Sequence, residues 1–303
     1  MKAAIIGSTK IALIHYKSIF SNNFKKIYFI SRKKIHAKKF LNENNLRNFE
    51  KIKYDNYKIL NKIKFSLINI CVNTNYHHKC LDYLKPSNKL IIVEKPLISI
   101  KIFKDSYLEY LKKLYVKHKK LIVCYPMSNL ATSFLKKFKY KKKINKIEVF
   151  YYTNGKHQYF DIGIDLLPHG LSLVSNLIKR KLKTKHIKIN KLKVNKTSWV
   201  GSMLYKNLKC EFNFVQKKSI TRSKFFFKIN NELVDRKTKI LNGKFLNFLK
   251  YKNKTVEIVN PMKEFLDNSI KNKSNFSWIN KNKILTKKYM KINYLFYIKC
   301  NRL

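Results

Sequence analysis

The sequence predicts an α/β protein in which a doubly wound parallel sheet precedes an α+β domain with a mostly antiparallel sheet. In residues 1–124, short apolar runs alternate with polar stretches of helical spacing, which is typical of parallel strands joined by helical crossovers. In residues 125–303, longer strand-like runs follow one another with few helices between them, which favours antiparallel pairing. We therefore predict two domains, 1–124 and 125–303.

Apolar runs place the individual elements. The parallel strands are expected at about 3–6, 27–30, 65–72, 90–93 and 121–125, with helices at about 10–20, 33–43, 76–84 and 101–118. In the second domain, alternation and β-branched or aromatic residues predict strands at about 144–152, 187–194, 208–215, 223–229 and 255–259. Helices are expected there near 128–139, 164–179, 261–272 and 283–298. Ligands of doubly wound sheets bind at the carboxyl ends of the strands, so residues at those ends are candidate site residues.

A glycine turn follows the first predicted strand. The dinucleotide fingerprint G-x-G-x-x-G/A is met at Gly7 and Ala12, but Thr9 replaces the second glycine. The first amides of a helix have no internal partner and lie at its positive end, so they can donate to a pyrophosphate. This favours a Rossmann-type nucleotide domain, with a plain strand-to-helix turn as the alternative. The residues expected to contact the cofactor here are Gly7, Ser8, Thr9, Lys10 and Ile11.

The second predicted strand ends in Ser31-Arg32-Lys33, where an NAD-selective site usually has a carboxylate for the ribose diol. A hydroxyl and a guanidinium can instead bind a 2′-phosphate. We therefore predict that Ser31 and Arg32 contact the cofactor and favour NADP over NAD. The alternative is that the two cations only solvate the start of a helix.

Two motifs follow the next predicted strands. The first is Asn73-Thr74-Asn75-Tyr76-His77-His78, and the second is Glu94-Lys95-Pro96. Their order and spacing resemble the Gfo/Idh/MocA family of oxidoreductases, in which a strand ending T-P-N-x-x-H is followed by a strand ending E-K-P. Asn75 and His78 match the Asn and His of that motif, whereas Asn73-Thr74 replaces Thr-Pro. In a lysine-rich chain a Lys-Pro pair is common by chance, so it is its position directly after a predicted strand that supports the motif.

A third motif lies in the predicted second domain. Residues 159–174 resemble the family's G-x-L-x-D-x-x-x-H stretch, with Asp165 and His169 at its acidic and histidine positions. Residues four apart share one face of a helix. Histidine titrates near neutral pH and a carboxylate can orient it, which suits general acid–base chemistry. A histidine buried in the core is the alternative interpretation.

The resemblance implies an NAD(P)-dependent oxidoreductase that acts on a CH–OH group of a sugar, polyol or nucleotide-linked sugar. It implies that His169 exchanges the hydroxyl proton, that Lys95 polarises the oxygen and that Asp165 orients substrate or histidine. It also implies a homo-oligomer formed through the second sheet. A non-catalytic, dinucleotide-binding regulator of the same fold is the alternative. Further cofactor contacts are expected from Asn73, Asn75, His78, Glu94 and Lys95.

The formal charge of +52 suggests a polyanion-binding protein as another alternative. However, only six of the 68 basic residues are arginine, and the lysines are dispersed along the chain. Lys, Asn, Ile, Phe and Tyr share A/T-rich codons, so we attribute the charge to genome composition and expect no specific nucleic-acid partner.

Five scattered cysteines without CxxC spacing are expected to be reduced thiols, and no metal site is predicted. The sequence has no apolar run of roughly 20 residues, the length needed to span a bilayer, and does not open with a signal-peptide pattern. We therefore expect a cytoplasmic protein without membrane contact.

Overall fold

The computed structural model describes residues 1–46, 49–179, 182–241 and 244–300. The chain forms two compact units. Unit 1 comprises residues 1–124 and 262–287, and unit 2 comprises residues 125–261 and the chain from Lys288 onward. The predicted second domain, 125–303, is therefore interrupted, because residues 262–287 return to unit 1.

Unit 1 contains a six-stranded parallel sheet with the strand order β3-β2-β1-β4-β5-β6, as predicted for a doubly wound fold. The order reverses between β1 and β4, which is where such sheets bind ligands. The strand β3 was not predicted, because it lies at the edge and its Lys53 and Asp55 interrupt the apolar pattern. The strands are β1 Lys2–Ile6, β2 Lys26–Ser31, β3 Ile52–Asn56, β4 Leu67–Ile70, β5 Leu90–Val93 and β6 Leu121–Val123.

The α-helices between these strands, in the part of the chain that the structure describes, are α1 Lys10–Ile19, α2 Lys34–Glu43, α3 His77–Tyr83, α4 Ile100–Phe103 and α5 Tyr107–Lys117. The single helix predicted at 101–118 is divided, because Lys104 adopts a positive φ of 38° between α4 and α5. Every residue of β4 and β5 is buried, as expected for strands covered on both faces.

Unit 2 contains an eight-stranded sheet with the order β14-β13-β12-β11-β7-β10-β9-β8. All neighbours are antiparallel except β7 and β10, which run parallel at the centre. The strands are β7 Lys146–Thr153, β8 Ile187–Asn195, β9 Ser198–Tyr205, β10 Leu208–Gln216, β11 Lys224–Ile229, β12 Glu232–Leu241, β13 Lys244–Tyr251 and β14 Lys254–Ile258. The sequence did not predict β9, β12 or β13. In β12, charged residues obscure the apolar alternation.

Two helices, α6 Met127–Lys137 and α7 Phe160–Leu177, belong to unit 2. Helix α7 packs on the face of the sheet that carries Phe212 and Phe214. A Cβ at Gly170 would lie 2.6 Å from the Phe212 ring, so this glycine permits close contact between helix and sheet. Helix α7 therefore lies directly over the central strands.

The last two helices of the described residues are α8 Pro261–Lys271 and α9 Phe276–Cys300. The side-chain amide of Asn282 in α9 accepts from the backbone N–H of Val123 and donates to its carbonyl oxygen, both at 2.9 Å. Because β6 is an edge strand, these bonds satisfy backbone groups that no further strand pairs with. This contact is one of several that join residues 262–287 to unit 1. Among the described residues, no helix is both long and apolar enough to cross a membrane.

Candidate active site

The glycine turn joins the ends of β1 and β4. Gly7 has φ +127°, and a Cβ there would lie 2.8 Å from the carbonyl oxygen of Cys71. The Thr9 hydroxyl donates to that same carbonyl at 3.0 Å and accepts from the backbone N–H of Ala12 at 3.4 Å. Thr9 therefore caps α1 and fastens the turn to the strand-order switch.

The start of α1 is suited to a pyrophosphate. The helix begins at Lys10, at the carboxyl end of β1, so the backbone N–H groups of Lys10 and Ile11 lie in its first turn. Ser8 and Ile11 are partly exposed, and Thr9 and Lys10 are exposed. The turn thus presents donors at the positive end of a helix, which fits the phosphates of a dinucleotide.

The two residues predicted to contact a 2′-phosphate, at the end of β2, differ in their exposure to solvent. Ser31 is 6% exposed, and its hydroxyl is hydrogen-bonded to that of Ser8. Arg32 is exposed. The guanidinium of Arg32 is therefore the more accessible group for a phosphate, whereas Ser31 ties β2 to the glycine turn.

Asn73 and Asn75 follow β4 in a short 3₁₀ turn, and both are exposed. The side-chain oxygen of Asn73 accepts from the backbone N–H of Asn75 at 3.0 Å. His78 is partly buried on α3, with its ring 5.3 Å from that of Phe103 in an edge-on arrangement, and this burial lowers its pKa.

His77, which the sequence analysis did not select, lies between the segments that follow β4 and β5. It is fully buried. Its Nδ1 lies 2.9 Å from the carbonyl oxygen of Pro96, and its Nε2 lies 3.0 Å from that of Val72. His77 thus links the segments that follow β4 and β5. Burial lowers its pKa, against the opposing effect of these hydrogen bonds. Two consecutive histidines were the only signal in the sequence.

Glu94 follows β5 and is 7% exposed. Its Oε1 lies 2.6 Å from Nε2 of His15, a fully buried residue of α1. Burial acts to raise the pKa of Glu94, but the hydrogen bond from His15 and the nearby charge of Lys95 outweigh it, so the pKa lies below its ordinary value. The next residue, Lys95, is partly buried, and the Lys95–Pro96 peptide is cis.

His15, Glu94 and Cys124 form a buried cluster of potential metal ligands, whose ligand atoms lie within 4.8 Å of one another. Two ligands of one tetrahedral zinc ion would lie roughly 3.3 Å apart. The 2.6 Å separation of His15 and Glu94 is instead that of a charge-assisted hydrogen bond. Burial and the Glu94 carboxylate raise the pKa of the Cys124 thiol, which disfavours the thiolate that a metal requires.

In unit 2, Asp165 and His169 lie one turn apart on α7, as predicted. Asp165 is partly exposed, and His169 is 8% exposed. The ring of His169 lies 5.8 Å from that of Tyr151 in β7, on the face of the sheet covered by α7. A titratable histidine and a carboxylate therefore share one region of unit 2.

The structure groups the predicted residues by unit. The glycine turn, Ser31, Arg32, Asn73, Asn75, Glu94 and Lys95 all lie at the carboxyl ends of β1, β2, β4 and β5. His78 follows the buried His77 in α3 and is itself partly buried. Asp165 and His169 belong to unit 2.

This architecture defines a class: a nucleotide-type doubly wound unit and a second unit built on a mostly antiparallel sheet. No protein-family model and no curated protein sequence matches the chain. Several solved structures, however, match the chain in fold. A dehydrogenase from Clostridium difficile superposes with a TM-score of 0.70 at 14% identity, covering 100% of this chain and 99% of that one.

A Gfo/Idh/MocA family oxidoreductase from Vibrio cholerae superposes with a TM-score of 0.66 at 11% identity, covering 99% of both chains. A 3-ketoreductase from Actinomadura kijaniata, solved in complex with TDP-benzene and NADP, gives 0.65 at 9% identity over 94% of both chains. The chain thus has the fold of Gfo/Idh/MocA oxidoreductases, and the resemblance inferred from three motifs is confirmed at the level of the fold.

Proposed function

We propose that this protein is an NAD(P)-dependent oxidoreductase that acts on a CH–OH group of a sugar-type substrate. One observation carries the proposal. The Thr9 hydroxyl is hydrogen-bonded to the carbonyl oxygen of Cys71, directly after β4, and His15 is hydrogen-bonded to Glu94, directly after β5. These bonds hold the glycine turn and the Glu94-Lys95-Pro96 segment at one edge of the sheet. That edge is where doubly wound sheets bind nucleotides.

The glycine turn and the first amides of α1 would hold the pyrophosphate. Asn73, Asn75 and His78 would contact the cofactor further along the same edge, beside Glu94 and Lys95. When bound, the nicotinamide would supply hydride transfer, and the protein would position it. The exposed Arg32 supports NADP over NAD, because a guanidinium can bind a 2′-phosphate by paired hydrogen bonds.

In the proposed reaction, His169 exchanges a proton with the hydroxyl that is oxidised or formed. Lys95 stabilises negative charge on the substrate oxygen, and Asp165 orients the substrate or His169. The helical spacing of Asp165 and His169 on α7 supports their joint role. The 3-ketoreductase complex with TDP-benzene makes nucleotide-linked sugars one substrate class to test beside free sugars and polyols.

We further propose that a homo-oligomer forms through the face of the unit 2 sheet opposite α7. Phe150 and Phe226 lie on that face with their rings stacked at 4.6 Å, and both are partly exposed. Partly exposed aromatic rings on an open sheet are typical of interface residues.

The test has two stages. NADPH and NADH are first titrated by fluorescence, and binding of at least one is expected. The loaded protein is then incubated with a panel of sugars, polyols and nucleotide-linked sugars, and absorbance of reduced nicotinamide at 340 nm reports turnover. Absence of nucleotide binding would contradict the proposal, whereas binding without turnover on any substrate would favour the non-catalytic regulator.

A further inference from the structure

Arg236 occupies an unusual position for a cation in this protein. It lies on β12 beside Phe225 of β11, and Phe225 in turn lies beside Tyr151 of β7. All three side chains therefore belong to one row on the face of the sheet that α7 covers, and Tyr151 in this row lies next to His169. Two strand spacings, roughly 10 Å, separate the backbones of Arg236 and Tyr151.

The positive charge of the Arg236 guanidinium has few hydrogen-bond partners and no counter-charge paired with it among the described residues. One terminal nitrogen donates to Oδ1 of Asn247 at 2.9 Å, and Nε is buried without a hydrogen-bond partner. Among the residues that the structure describes, no carboxylate forms an ion pair with it. Glu232, on the same strand and face, instead accepts from the Tyr251 hydroxyl and pairs with Lys252 at 3.1 Å.

A cation removed from water without a counter-charge is unfavourable, and an anionic ligand relieves that cost. Burial lowers the pKa of Arg236, yet a guanidinium keeps its proton in proteins. The residue as a whole is partly exposed, although its guanidinium is largely buried. Arginine is scarce in this lysine-rich chain, and its planar fork binds phosphate and carboxylate in a way that lysine does not.

We propose that Arg236 binds an anionic group, a phosphate or a carboxylate, on the substrate whose hydroxyl reacts at His169. This inference rests on the proposed function and narrows it: the substrate is a charged sugar derivative rather than a neutral sugar or polyol. Tyr151 and Asn247 flank the bound group, and Asn247 fixes the guanidinium through its 2.9 Å hydrogen bond.

The experiment is isothermal titration of the protein saturated with NADP, so that the phosphate sites of the cofactor are filled. The probes are inorganic pyrophosphate, glucuronate and glucose, at 150 mM salt. We expect the wild type to bind one anionic probe, at least tenfold more tightly than glucose. Pyrophosphate as the tighter ligand indicates a phosphate-bearing substrate, and glucuronate indicates a sugar acid.

Arg236→Gln should weaken binding of that anionic probe by tenfold or more, and Arg236→Lys should weaken it less. Arg222→Gln is the matched control, because Arg222 is an exposed arginine in the same unit, and it should bind like the wild type. If Arg236→Gln does not fold in a thermal melt, the Arg236→Lys variant decides. Equal affinity of wild type and folded Arg236 variants for both anions, or preference of the wild type for glucose, would overturn the inference.

Nucleotide titration separates this inference from the proposed function. Failure to bind NADP or NAD contradicts the proposed function itself. Normal nucleotide binding together with an anion affinity that does not depend on Arg236 contradicts only the anion site.

Discussion

His15 and Glu94 are joined by a 2.6 Å hydrogen bond between Nε2 and Oε1, and both side chains are buried. The bond connects α1, which begins at the glycine turn, to the residue that immediately precedes Lys95. His15 thereby acts as a positioning residue for the segment after β5. Neither residue was selected for this pairing from the sequence, although Glu94 was expected near the cofactor.

Replacing Glu94 should reveal this pairing through its pH dependence. Because the pKa of Glu94 in the folded protein lies below its ordinary value of 4.5, the pairing stabilises the fold above that pH. This contribution is lost as the pH falls through the folded-state pKa. We expect Glu94→Gln to lower the free energy of unfolding by about 1.5–3 kcal/mol at pH 7, and the difference from wild type to shrink below pH 4.5.

Urea unfolding at pH 7, 5 and 4 measures this difference. Glu109→Gln is the control, because Glu109 is an exposed carboxylate paired with Lys113 one helical turn away, and it should unfold close to wild type. A pH-independent loss in Glu94→Gln would show that packing, not the ionised pair, stabilises this site.

Cofactor preference should depend on Arg32. We expect NADPH to bind more tightly than NADH, and Arg32→Ala to weaken NADPH binding by about 1.5–3 kcal/mol with little effect on NADH, because only NADPH carries the 2′-phosphate. Fluorescence titration of both nucleotides measures the difference between the two affinities. Lys33→Ala, which removes the neighbouring exposed charge, should change it much less. Equal affinities of the wild type for NADPH and NADH would remove the basis for an NADP preference.

The acid–base role of His169 predicts a defined kinetic result. His169→Ala should leave nucleotide affinity nearly unchanged and reduce turnover by about 10²–10⁴-fold. Lys95→Ala should also lose turnover, and the two losses should not add if both residues act in one proton transfer. Steady-state kinetics and thermal melts are measured together. A His169→Ala protein that melts early but turns over normally would identify His169 as a core residue.

The two consecutive histidines should behave differently. His77→Ala removes the imidazole ring that lies between the carbonyl oxygens of Val72 and Pro96, so we expect it to cost about 1–3 kcal/mol of stability and to weaken nucleotide binding. His78→Ala, at a partly exposed position, should cost less stability. Urea unfolding and nucleotide titration of both variants make the comparison. The reverse order of effects would restore His78 as the principal histidine of this segment.

The high net charge should produce only weak binding to nucleic acid. Dispersed lysines attract phosphates but do not read bases, so complexes formed at low salt should dissociate by about 150 mM salt. A gel-shift series over several salt concentrations and two unrelated duplex sequences tests this. Sequence-selective binding at physiological salt would instead favour the polyanion-binding alternative.

The sequence by itself determined the doubly wound class of the first sheet, five of its six strands and most of the residues at its carboxyl edge. Buried parallel strands appear as uninterrupted apolar runs, as in β4 and β5, and motifs follow directly from where those runs end. The spacing of Asp165 and His169 likewise fixed their common helical face, because α7 is continuous through both residues.

Only the tertiary structure decided which side chains meet across the fold. His15 and Glu94 are far apart in sequence, and so are Arg236, Tyr151 and His169, and no local pattern specifies such pairs. The return of residues 262–287 to unit 1 involves the hydrogen bonds of Asn282 to the edge strand β6, a contact that periodicity does not encode. Likewise, His77 rather than His78 is buried because the start of α3 fixes which ring points beneath the ends of β4 and β5. Periodicity reports local conformation and burial, whereas partners are set by packing between distant segments.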